Sequence, residues 1–259
     1  MKHRQFTLPI LLFFILLFLW QIGSSRGMIA FWLVPSPYQV LRVFIDNPGL
    51  IWHHLQPTLL AAVSGLLLSI VLGSITAIGM HRFSILKQLL YPYLIVSQTV
   101  PLISIAPLLI IWFGYGISSK IFAVLLMCFF PIALGLYDGF RAVNVEQERL
   151  LRAMGASEYK IFTLLRIPSA MPGFFTGLKL AATYSVMGSV IGEWLGGSSG
   201  LGIYMTRATK AYQTAHVFAV ILVIVAISMT FFGIVVLLDR WLLAWKYLPS
   251  DEYLEPDKG

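Results

Sequence analysis

The chain has 259 residues, of which 58% are hydrophobic and only 11% are charged. A soluble domain carries about 25% charged residues, so this composition excludes an ordinary soluble protein and indicates a membrane protein. The net charge of +7 does not indicate nucleic-acid binding, because the basic residues lie between apolar stretches and do not cluster on one face. The single cysteine, Cys128, excludes an intrachain disulfide and is expected to be a small buried hydrophobic side chain.

Six apolar segments predict an all-α, polytopic membrane protein with about six transmembrane helices. Most of them reach the ~20 residues that a helix needs to cross about 30 Å of hydrocarbon. The first is short and follows the basic residues Lys2 and Arg4, so a cleaved signal peptide is weighed against a retained helix, which we favour. The segments are about Leu8–Ile22, Leu59–Met80, Leu89–Phe113, Ile117–Phe140, Phe174–Leu195 and Val217–Leu238.

Residues 23–57, between the first two segments, are too many for a simple turn. Pro35, Ser36 and Pro37 open a run that predicts either a short amphipathic helix in the outer interface or an ordered loop. We group residues 1–58 as the first transmembrane helix with this outer loop, and residues 59–245 as the main transmembrane domain. The apolar residues of the run are Tyr38, Val40, Leu41, Phe44 and Ile45.

The third segment contains Pro101 and Pro107, preceded by Gln98 and Thr99. Proline removes a backbone hydrogen bond and kinks a helix, so the freed carbonyl groups need protein or water nearby. Gln98, Thr99 and Pro101 are therefore candidates for the polar lining of a solute path. The alternative is a structural kink that neighbouring helices satisfy.

Small residues recur every four positions in the second and fifth segments. Such faces let helix backbones approach closely in lipid, where no hydrophobic force drives helices together. In the second segment we expect packing within the chain. In the fifth, packing, a subunit interface and a pore-facing role all stay open, and Ser185 and Ser189 are candidate path residues. The positions are Gly65, Ser69 and Gly73 in the second segment and Gly177, Ala181, Ser185 and Ser189 in the fifth.

The lysine and arginine residues are distributed unevenly between the two sides of the membrane. With the N-terminus inside, 13 of them lie on inner segments and 5 on outer segments. The positive-inside rule therefore predicts that both termini are cytoplasmic. The same orientation places residues 141–172 in a cytoplasmic loop and residues 246–259 in a polar cytoplasmic tail.

Residues 148–177 are polar and basic, although long apolar segments flank them. Good helix formers before Gly155 predict one helix, and glycine ends it because it adopts the left-handed cap conformation. Ser157 then caps a second short helix, Glu158 lies in its first turn, and Pro168 limits its length. The pattern predicts a helix–turn–helix loop that binds another protein.

Glu193 is an acidic residue close to membrane depth, directly before the glycine-rich run 196–202. Ionisable groups at such depth are costly and often belong to pathways or gates. A gating role is weighed against an ion pair to Arg207 or Lys210 in the outer interface.

Motifs for chemistry are missing from the sequence. There is no Gly-x-x-x-x-Gly-Lys-Ser/Thr loop, so we expect that the chain neither binds ATP phosphates by itself nor acts as an enzyme. The histidine spacings are unlike a metal site, and we expect no metal and no cofactor of its own.

Several short motifs resemble the cytoplasmic loop signature of bacterial ABC importer permeases. They are Gly155-Ala156-Ser157, Ile167-Pro168, Pro172-Gly173 and the runs 176–180, 192–197 and 200–202. The resemblance covers about residues 35–245 and is nearest to permeases for nitrate, sulfonates, taurine and thiamine-precursor pyrimidines. The family's loop has a glutamate six residues before the glycine, where this chain has Arg149 preceded by Glu148, so the residue that takes this role stays open.

The resemblance implies an ABC permease transmembrane domain in the bacterial cytoplasmic membrane, working as a dimer. Its implied partners are two copies of a cytoplasmic ABC ATPase, which use ATP and Mg, and an extracytoplasmic solute-binding protein. Closure of the ATPases would move residues 144–167 and turn the central cavity outward. The implied ATPase-coupling residues are Glu148, Arg149, Ala153, Gly155, Ala156, Ser157 and Pro168.

For the solute, the sequence favours a thiamine-precursor pyrimidine, with a sulfonate, taurine or nitrate as the alternative. Two other classes of function stay open: a secondary transporter or channel without an ATPase, and a membrane scaffold that transports nothing. Whether the dimer is a homodimer or a heterodimer also stays open.

Overall fold

A computed structural model describes residues 4–26, 30 and 32–247, and these residues contain helices and loops but no strand. The all-α fold class is therefore confirmed. Most of the predicted tail 246–259 lies outside the described residues. The helices are α1 (Arg4–Ser25), α2 (Pro37–Asp46), α3 (Pro48–Arg82), α4 (Ser84–Ser97), α5 (Leu102–Phe113), α6 (Ile117–Arg141), α7 (Val145–Ala153), α8 (Glu158–Ile161), α9 (Ile167–Leu195), α10 (Leu201–Lys210) and α11 (Thr214–Leu242), with a π-helical segment Phe162–Arg166 and a 3-10 turn Ala244–Tyr247.

Four of the described helices are long and apolar enough to cross a membrane. They are α3, α6, α11 and a continuous helix of 37 residues, Glu158–Trp194, that runs through α8, the π-helical segment and α9. The third predicted span is not one kinked helix. It consists of two helices, α4 and α5, that meet at a bend of 108°. Counted as one, this broken pair gives a fifth span, and α1, a helix of 22 residues, is the sixth apolar helix.

The centre of the bundle is the contact between α6 and α9, where glycines replace side chains. A Cβ atom on Gly177 would lie 2.0 Å from the carbonyl oxygen of Pro131, and one on Gly173 would lie 2.4 Å from that of Gly135. Backbones that approach this closely leave no room for any side chain between them. The small residues of α9 are therefore required first by packing within the chain.

The small face of α3 packs on α6, as predicted. A Cβ on Gly65 would meet the side chain of Val124 at 2.5 Å, and the Ser69 hydroxyl donates to the Gly65 carbonyl at 2.7 Å. Cys128 of α6 lies against the small-residue face of α9, and its thiol donates to the Ala181 carbonyl at 3.2 Å. Both faces are thus filled by α6.

The amphipathic helix after Pro35 is present as α2. Ser36 caps it: its hydroxyl accepts from the backbone N–H of Gln39, while the Gln39 side chain accepts from the N–H of Ser36. Val40 and Val43 are buried in a cluster with residues of α10 and α11, so α2 covers one end of the bundle. We call this the α10 end and the opposite end the α7 end.

An ion pair that the sequence analysis missed joins the last two long helices. Lys179 of α9 donates a short hydrogen bond to the carboxylate of Asp239 on α11. Asp239 is fully buried. The two residues are 60 positions apart, so no local pattern reveals the pair.

Candidate functional site

The predicted helix–turn–helix loop is present at the α7 end. Asn144 caps α7, its side-chain oxygen accepting from the backbone N–H of Glu146 at 2.8 Å. After α7 the chain reverses at Gly155, whose φ is +78°. The N–H of Gly155 donates to the Arg152 carbonyl and the N–H of Ala156 to the Leu151 carbonyl, each at 3.0 Å. This pair of bonds is the Schellman arrangement, which favours glycine at the position of Gly155.

The second helix begins as predicted but does not stop at Pro168. The Ser157 hydroxyl accepts from the N–H of Lys160 at 3.4 Å and caps α8. The helix then widens into the π-helical segment and continues as α9, with Pro168 in its first turn. The π-helical segment directly before Pro168 accommodates the missing proline N–H, so the helix stays continuous. Pro168 therefore marks the join between loop and span, and the expected stop at this residue was wrong.

Ion pairs among four charged side chains hold the loop in one arrangement. Glu148 accepts from Arg152 at 2.9 Å and from Arg166 at 2.7 Å, and Glu158 bonds Arg152 as well. Hydrogen bonds from Arg166 and Arg152 hold the pKa of the Glu148 carboxyl below its ordinary value. Arg149 is exposed and makes no ion pair within the described part of the chain. Of the two candidates for the family's glutamate position, only Glu148 thus enters the network.

The loop also has apolar side chains that the described part of the protein leaves largely exposed. No residue of α7 is buried. Exposed apolar groups on a polar loop indicate a contact surface for another protein. We call this set the loop patch; its residues are Val145 (61% exposed), Leu150 (61%), Met154 (74%), Tyr159 (76%) and Leu164 (69%). Ala153 is exposed beside it, and Ala156 is half-buried.

A stack of rings connects the loop to the bundle. His81, at the end of α3, lies with its ring 4.6 Å from the ring of Phe140 on α6. Phe162, in the π-helical segment, lies 5.9 Å from the same Phe140 ring. A movement of the loop would therefore be transmitted to α3 and α6 through these ring contacts.

The break between α4 and α5 opens a cavity of about 560 Å³ against α6 and α9. Gln98 and Pro101 line it, but Thr99 does not; the Thr99 hydroxyl donates to the Val96 carbonyl at 2.7 Å. Tyr184 of α9 lines the opposite wall and was not predicted. None of the described residues that line the cavity is charged. The remaining lining residues are Ser97, Val100, Leu102, Ile105, Leu126, Met127, Phe130, Pro131, Leu180 and Met187.

Glu193 lies at the α10 end, fully buried. Its carboxylate accepts from the Gly202 N–H at 2.7 Å and from the Thr58 hydroxyl at 2.8 Å. The nearest cation is Lys120 at 3.9 Å, so the partner is neither Arg207 nor Lys210. Lys120 also donates to the Ser199 carbonyl at 2.8 Å. Glu193 thereby holds the glycine loop 196–200 and the start of α10 against α3 and α6.

Ser189 and Ser185 lie in the same packed region rather than on the cavity. The Ser189 hydroxyl donates to the Thr58 carbonyl at 3.2 Å, and the Ser185 hydroxyl donates to the Ala182 carbonyl at 2.8 Å. Both are fully buried. The candidate path residues therefore fall into two groups, with Gln98 and Pro101 on the cavity and Ser185, Ser189 and Glu193 behind it; the role of each in transport stays a prediction.

Two members of the Glu193 cluster were missed, Thr58 and His54. Thr58 accepts from the N–H of Leu201 at 2.9 Å, and the ring nitrogen of His54 accepts from the N–H of Gly200 at 3.1 Å. Both lie near the start of α3, more than 130 positions from the groups they bond. The described residues hold no group of three His, Cys, Asp or Glu that fits a metal ion.

Comparison with known proteins gives consistent results. Residues 65–244 match the family described as binding-protein-dependent transport system inner membrane component. The chain is 38% identical to the formylaminopyrimidine transport permease ThiX of Halalkalibacterium halodurans, over 95% of this chain and 98% of that one. It is 30% identical to the putative aliphatic sulfonates transport permease SsuC of Bacillus subtilis, over 90% and 85%. Its fold is similar to that of a chain in the crystal structure of an amino acid ABC transporter with histidines, with a TM-score of 0.62 at 20% identity, covering 76% of this chain and 96% of that chain.

Proposed function

Since this chain belongs to the family of binding-protein-dependent transport system inner membrane components and is a permease subunit of an ABC importer, we propose that two copies of it form the translocation path. In this proposal each copy binds one ATPase subunit at its α7 end and shares one solute-binding protein at the α10 end. The α7 end and both termini are then cytoplasmic. The chain binds no cofactor, and ATP and Mg belong to the ATPases.

The main support for a role in coupling to the ATPase is the loop patch, on a loop whose helices are held together by ion pairs. Its exposed apolar side chains need a protein surface, and the ion network of Glu148 keeps α7 and α8 in one arrangement. Because α8 continues into α9 without a break, an ATPase that moves the loop also moves a wall of the cavity. A rigid-body movement of this kind would switch the path between inward and outward access.

The solute that best fits is a neutral heterocycle of the thiamine-precursor pyrimidine type. The cavity presents an amide at Gln98 and a phenol at Tyr184, which suit hydrogen bonding and ring stacking. It offers no cation to a sulfonate, for which an arginine or lysine would be the usual partner. The 38% identity to a formylaminopyrimidine permease supports the same solute class, and the similarity to a sulfonate permease supports the alternative.

The test is uptake into proteoliposomes that contain the permease, the ATPase and the solute-binding protein encoded with it. We expect ATP-dependent uptake of labelled formylaminopyrimidine and none of labelled taurine. Uptake of taurine alone would favour the sulfonate alternative. Uptake that persists without the ATPase would identify a secondary transporter or channel, and absence of all uptake with every partner present would contradict a transport role.

A Tyr184→Phe variant tests whether the cavity recognises the solute. Loss of the phenol removes one hydrogen bond, worth about 0.5–1.5 kcal/mol, while the ring remains. We expect a higher solute concentration for half-maximal uptake and an unchanged basal rate of ATP hydrolysis. Leu108→Ala, an exposed residue of α5 that does not line the cavity, is the control.

A further inference from the structure

The turn between α10 and α11 contains an unusual tyrosine. Tyr212 has a φ of 56°, the only positive φ outside glycine among the described residues. The N–H of Tyr212 donates to the Thr209 carbonyl at 3.1 Å and that of Gln213 to the Ala208 carbonyl at 2.9 Å. These are the two bonds of a Schellman motif, and Tyr212 occupies its left-handed position, where glycine is preferred.

Among the described residues the same motif occurs once more, at Gly155, with the preferred residue. Left-handed backbone is unfavourable for a residue with a Cβ, so a tyrosine at this position lowers stability without helping the turn. Its ring is not used for packing either, because Tyr212 is 78% exposed. A strained, exposed aromatic side chain on a rigid turn indicates a contact with a partner molecule.

The basic residues near Tyr212 in the sequence indicate that the partner is acidic. Arg207 and Lys210 precede it on α10, and both are exposed. In the proposed orientation, only five lysine and arginine residues lie outside, and one of these, Lys120, is buried against Glu193. Two of the other four are thus concentrated beside Tyr212, on a side where such residues are scarce.

The patch is also joined to the buried cluster behind it. The Arg207 guanidinium donates to the Ser198 carbonyl at 3.1 Å, and the next residue, Ser199, accepts from Lys120. Lys120 in turn faces Glu193 at 3.9 Å. A partner that also engages Arg207 would therefore act on the glycine loop, which lies over the polar cluster at this end of the bundle. A tyrosine that only anchors the chain in lipid headgroups would need neither this link nor a strained backbone.

We propose that Tyr212, together with Arg207 and Lys210, is a docking point for an acidic patch on the extracytoplasmic solute-binding protein. The inference rests on the proposed function and adds the surface through which this partner binds. Tyr212 supplies an aromatic contact that becomes buried when the binding protein docks. The two cations attract the acidic patch and orient the binding protein. Binding of this protein would shift the glycine loop through the hydrogen bond from Arg207 to the Ser198 carbonyl.

Three substitutions separate a docking role from a structural one. Tyr212→Gly removes the ring and the strain, Tyr212→Ala removes the ring and keeps the strain, and Tyr212→Phe keeps both. The permease and its ATPase in nanodiscs are titrated with the purified binding protein while ATP hydrolysis is followed. We expect the half-stimulating concentration to rise about tenfold or more in the Gly and Ala variants, and by less than twofold in the Phe variant.

Thermal unfolding of the same variants gives the matched control. Tyr212→Gly should raise Tm above that of Tyr212→Ala, by about 2–4 °C, because the left-handed turn is then unstrained. Better stability with poorer response to the binding protein cannot arise from a merely structural tyrosine. Lys210→Glu should also raise the half-stimulating concentration, by a factor that shrinks at high salt.

The results that would overturn the inference are distinct from those that would overturn the function. If the wild type is stimulated and Tyr212→Gly responds equally well, the docking point is wrong while the importer stands. If Tyr212→Gly loses Tm in nanodiscs of phosphatidylglycerol but not of phosphatidylcholine, and still responds to the binding protein, Tyr212 anchors the chain to anionic lipid and the inference is overturned. A wild type that no binding protein stimulates would overturn both.

Discussion

Glu148 and Arg166, 18 positions apart, are joined by a hydrogen bond of 2.7 Å that ties the first helix of the loop to the segment leading into α9. Arg152 bonds the same carboxylate oxygen from the adjacent turn of α7. One acidic side chain thus sets the angle between α7 and the long helix that forms part of the cavity wall. This relationship makes Glu148 the brace of the loop, although Arg149 occupies the family's usual glutamate position.

Glu148→Gln should loosen the loop without unfolding the bundle. Partly exposed ion pairs contribute about 0.2–1 kcal/mol each, so losing two of them should weaken binding of the ATPase by about 2- to 30-fold. The measurement is retention of the ATPase by the purified permease. Asp138→Asn removes an exposed acid from the Asp138–Arg141 pair at the same end of the bundle and should leave retention unchanged; an equal loss in both variants would mean that only net charge matters.

The brace should also respond to acid. The two arginines lower the pKa of Glu148 in the folded loop below its value of 4.5 in an unperturbed chain. A depressed carboxyl pKa contributes stability at pH above the unperturbed value, and that stability is lost as pH falls through the folded pKa. ATPase retention should therefore be constant from neutral pH to about 4.5 and fall below it. Glu148→Gln should remove this fall, and a variant that keeps the wild-type profile would contradict the assignment.

Gly155→Val should abolish coupling through backbone strain alone. A Cβ on Gly155 would touch nothing within 4 Å, so there is no clash, but its φ of +78° is unfavourable for a branched residue. We expect loss of the ATPase or of stimulated uptake at normal expression, with solute binding by the separate binding protein intact. Arg149→Glu, at an exposed position without an ion pair in the described chain, should be tolerated better. Normal uptake by Gly155→Val would show that the loop is not the docking site.

The parts of this fold that follow from local pattern could be predicted from the sequence. Gly155 and Ser157 identified the turn and the second cap because left-handed glycine and serine capping act within four residues. The apolar segments gave the long helices for the same reason. Pro168 was expected to end the second helix, but the helix is continuous from Glu158 to Trp194, because the π-helical segment just before Pro168 accommodates its missing N–H.

Contacts between distant residues could not be predicted in this way. Glu193 was singled out by its charge, but it accepts a hydrogen bond from Thr58, which is 135 positions away in the sequence. Lys120 likewise donates to the carbonyl of Ser199, which is 79 positions from Lys120. Lys120 was counted with the outer loops, since a charge near the start of an apolar segment looks exposed. The 108° bend after Ser97 also depends on how α4 and α5 pack against the rest of the bundle.

Gly177→Ala should destabilise the bundle, since its Cβ would lie 2.0 Å from the Pro131 carbonyl oxygen. Overpacking of this kind costs about 1–3 kcal/mol, and here the obstacle is backbone that cannot rotate away. Gly233→Ala is the matched control, because nothing lies within 4 Å of its Cβ in α11. Alanine favours a helix interior by about 0.5–1 kcal/mol, so this variant should unfold at the same temperature or higher. Equal Tm values for the two variants would contradict the packing.

The orientation can be tested with two single cysteines in a Cys128→Ala background. Tyr159→Cys lies on the loop patch and Ser198→Cys on the glycine loop, and both positions are exposed. Because the lysine and arginine residues are concentrated on the side of the loop, an impermeant thiol reagent on intact cells should label position 198 and spare 159. The control is labelling of both after the membrane is permeabilised. The reverse pattern in intact cells would place the loop outside and exclude ATPase docking there.

Glu193→Gln tests whether the buried cluster controls access at the α10 end. Glutamine keeps the shape and can still accept from the Gly202 N–H, but it cannot pair with Lys120. Losing one charge-assisted contact of this kind costs about 1–3 kcal/mol. If the cluster holds a two-state gate, a shift of this size changes the populations by about 5- to 150-fold.

We therefore expect Glu193→Gln to assemble with its ATPase, to hydrolyse more ATP without the binding protein, and to take up less solute. Thr58→Val removes a neutral partner of the same carboxylate, and its smaller effect in the same direction would show that the carboxylate's contacts set the gate. The double variant Glu193→Gln, Thr58→Val should then show a larger effect than Glu193→Gln, because the two changes remove different contacts of the same side chain, those with Lys120 and with Thr58. Loss of assembly together with activity would mean that Glu193 only supports the fold, and wild-type rates in the variant would remove it from the mechanism.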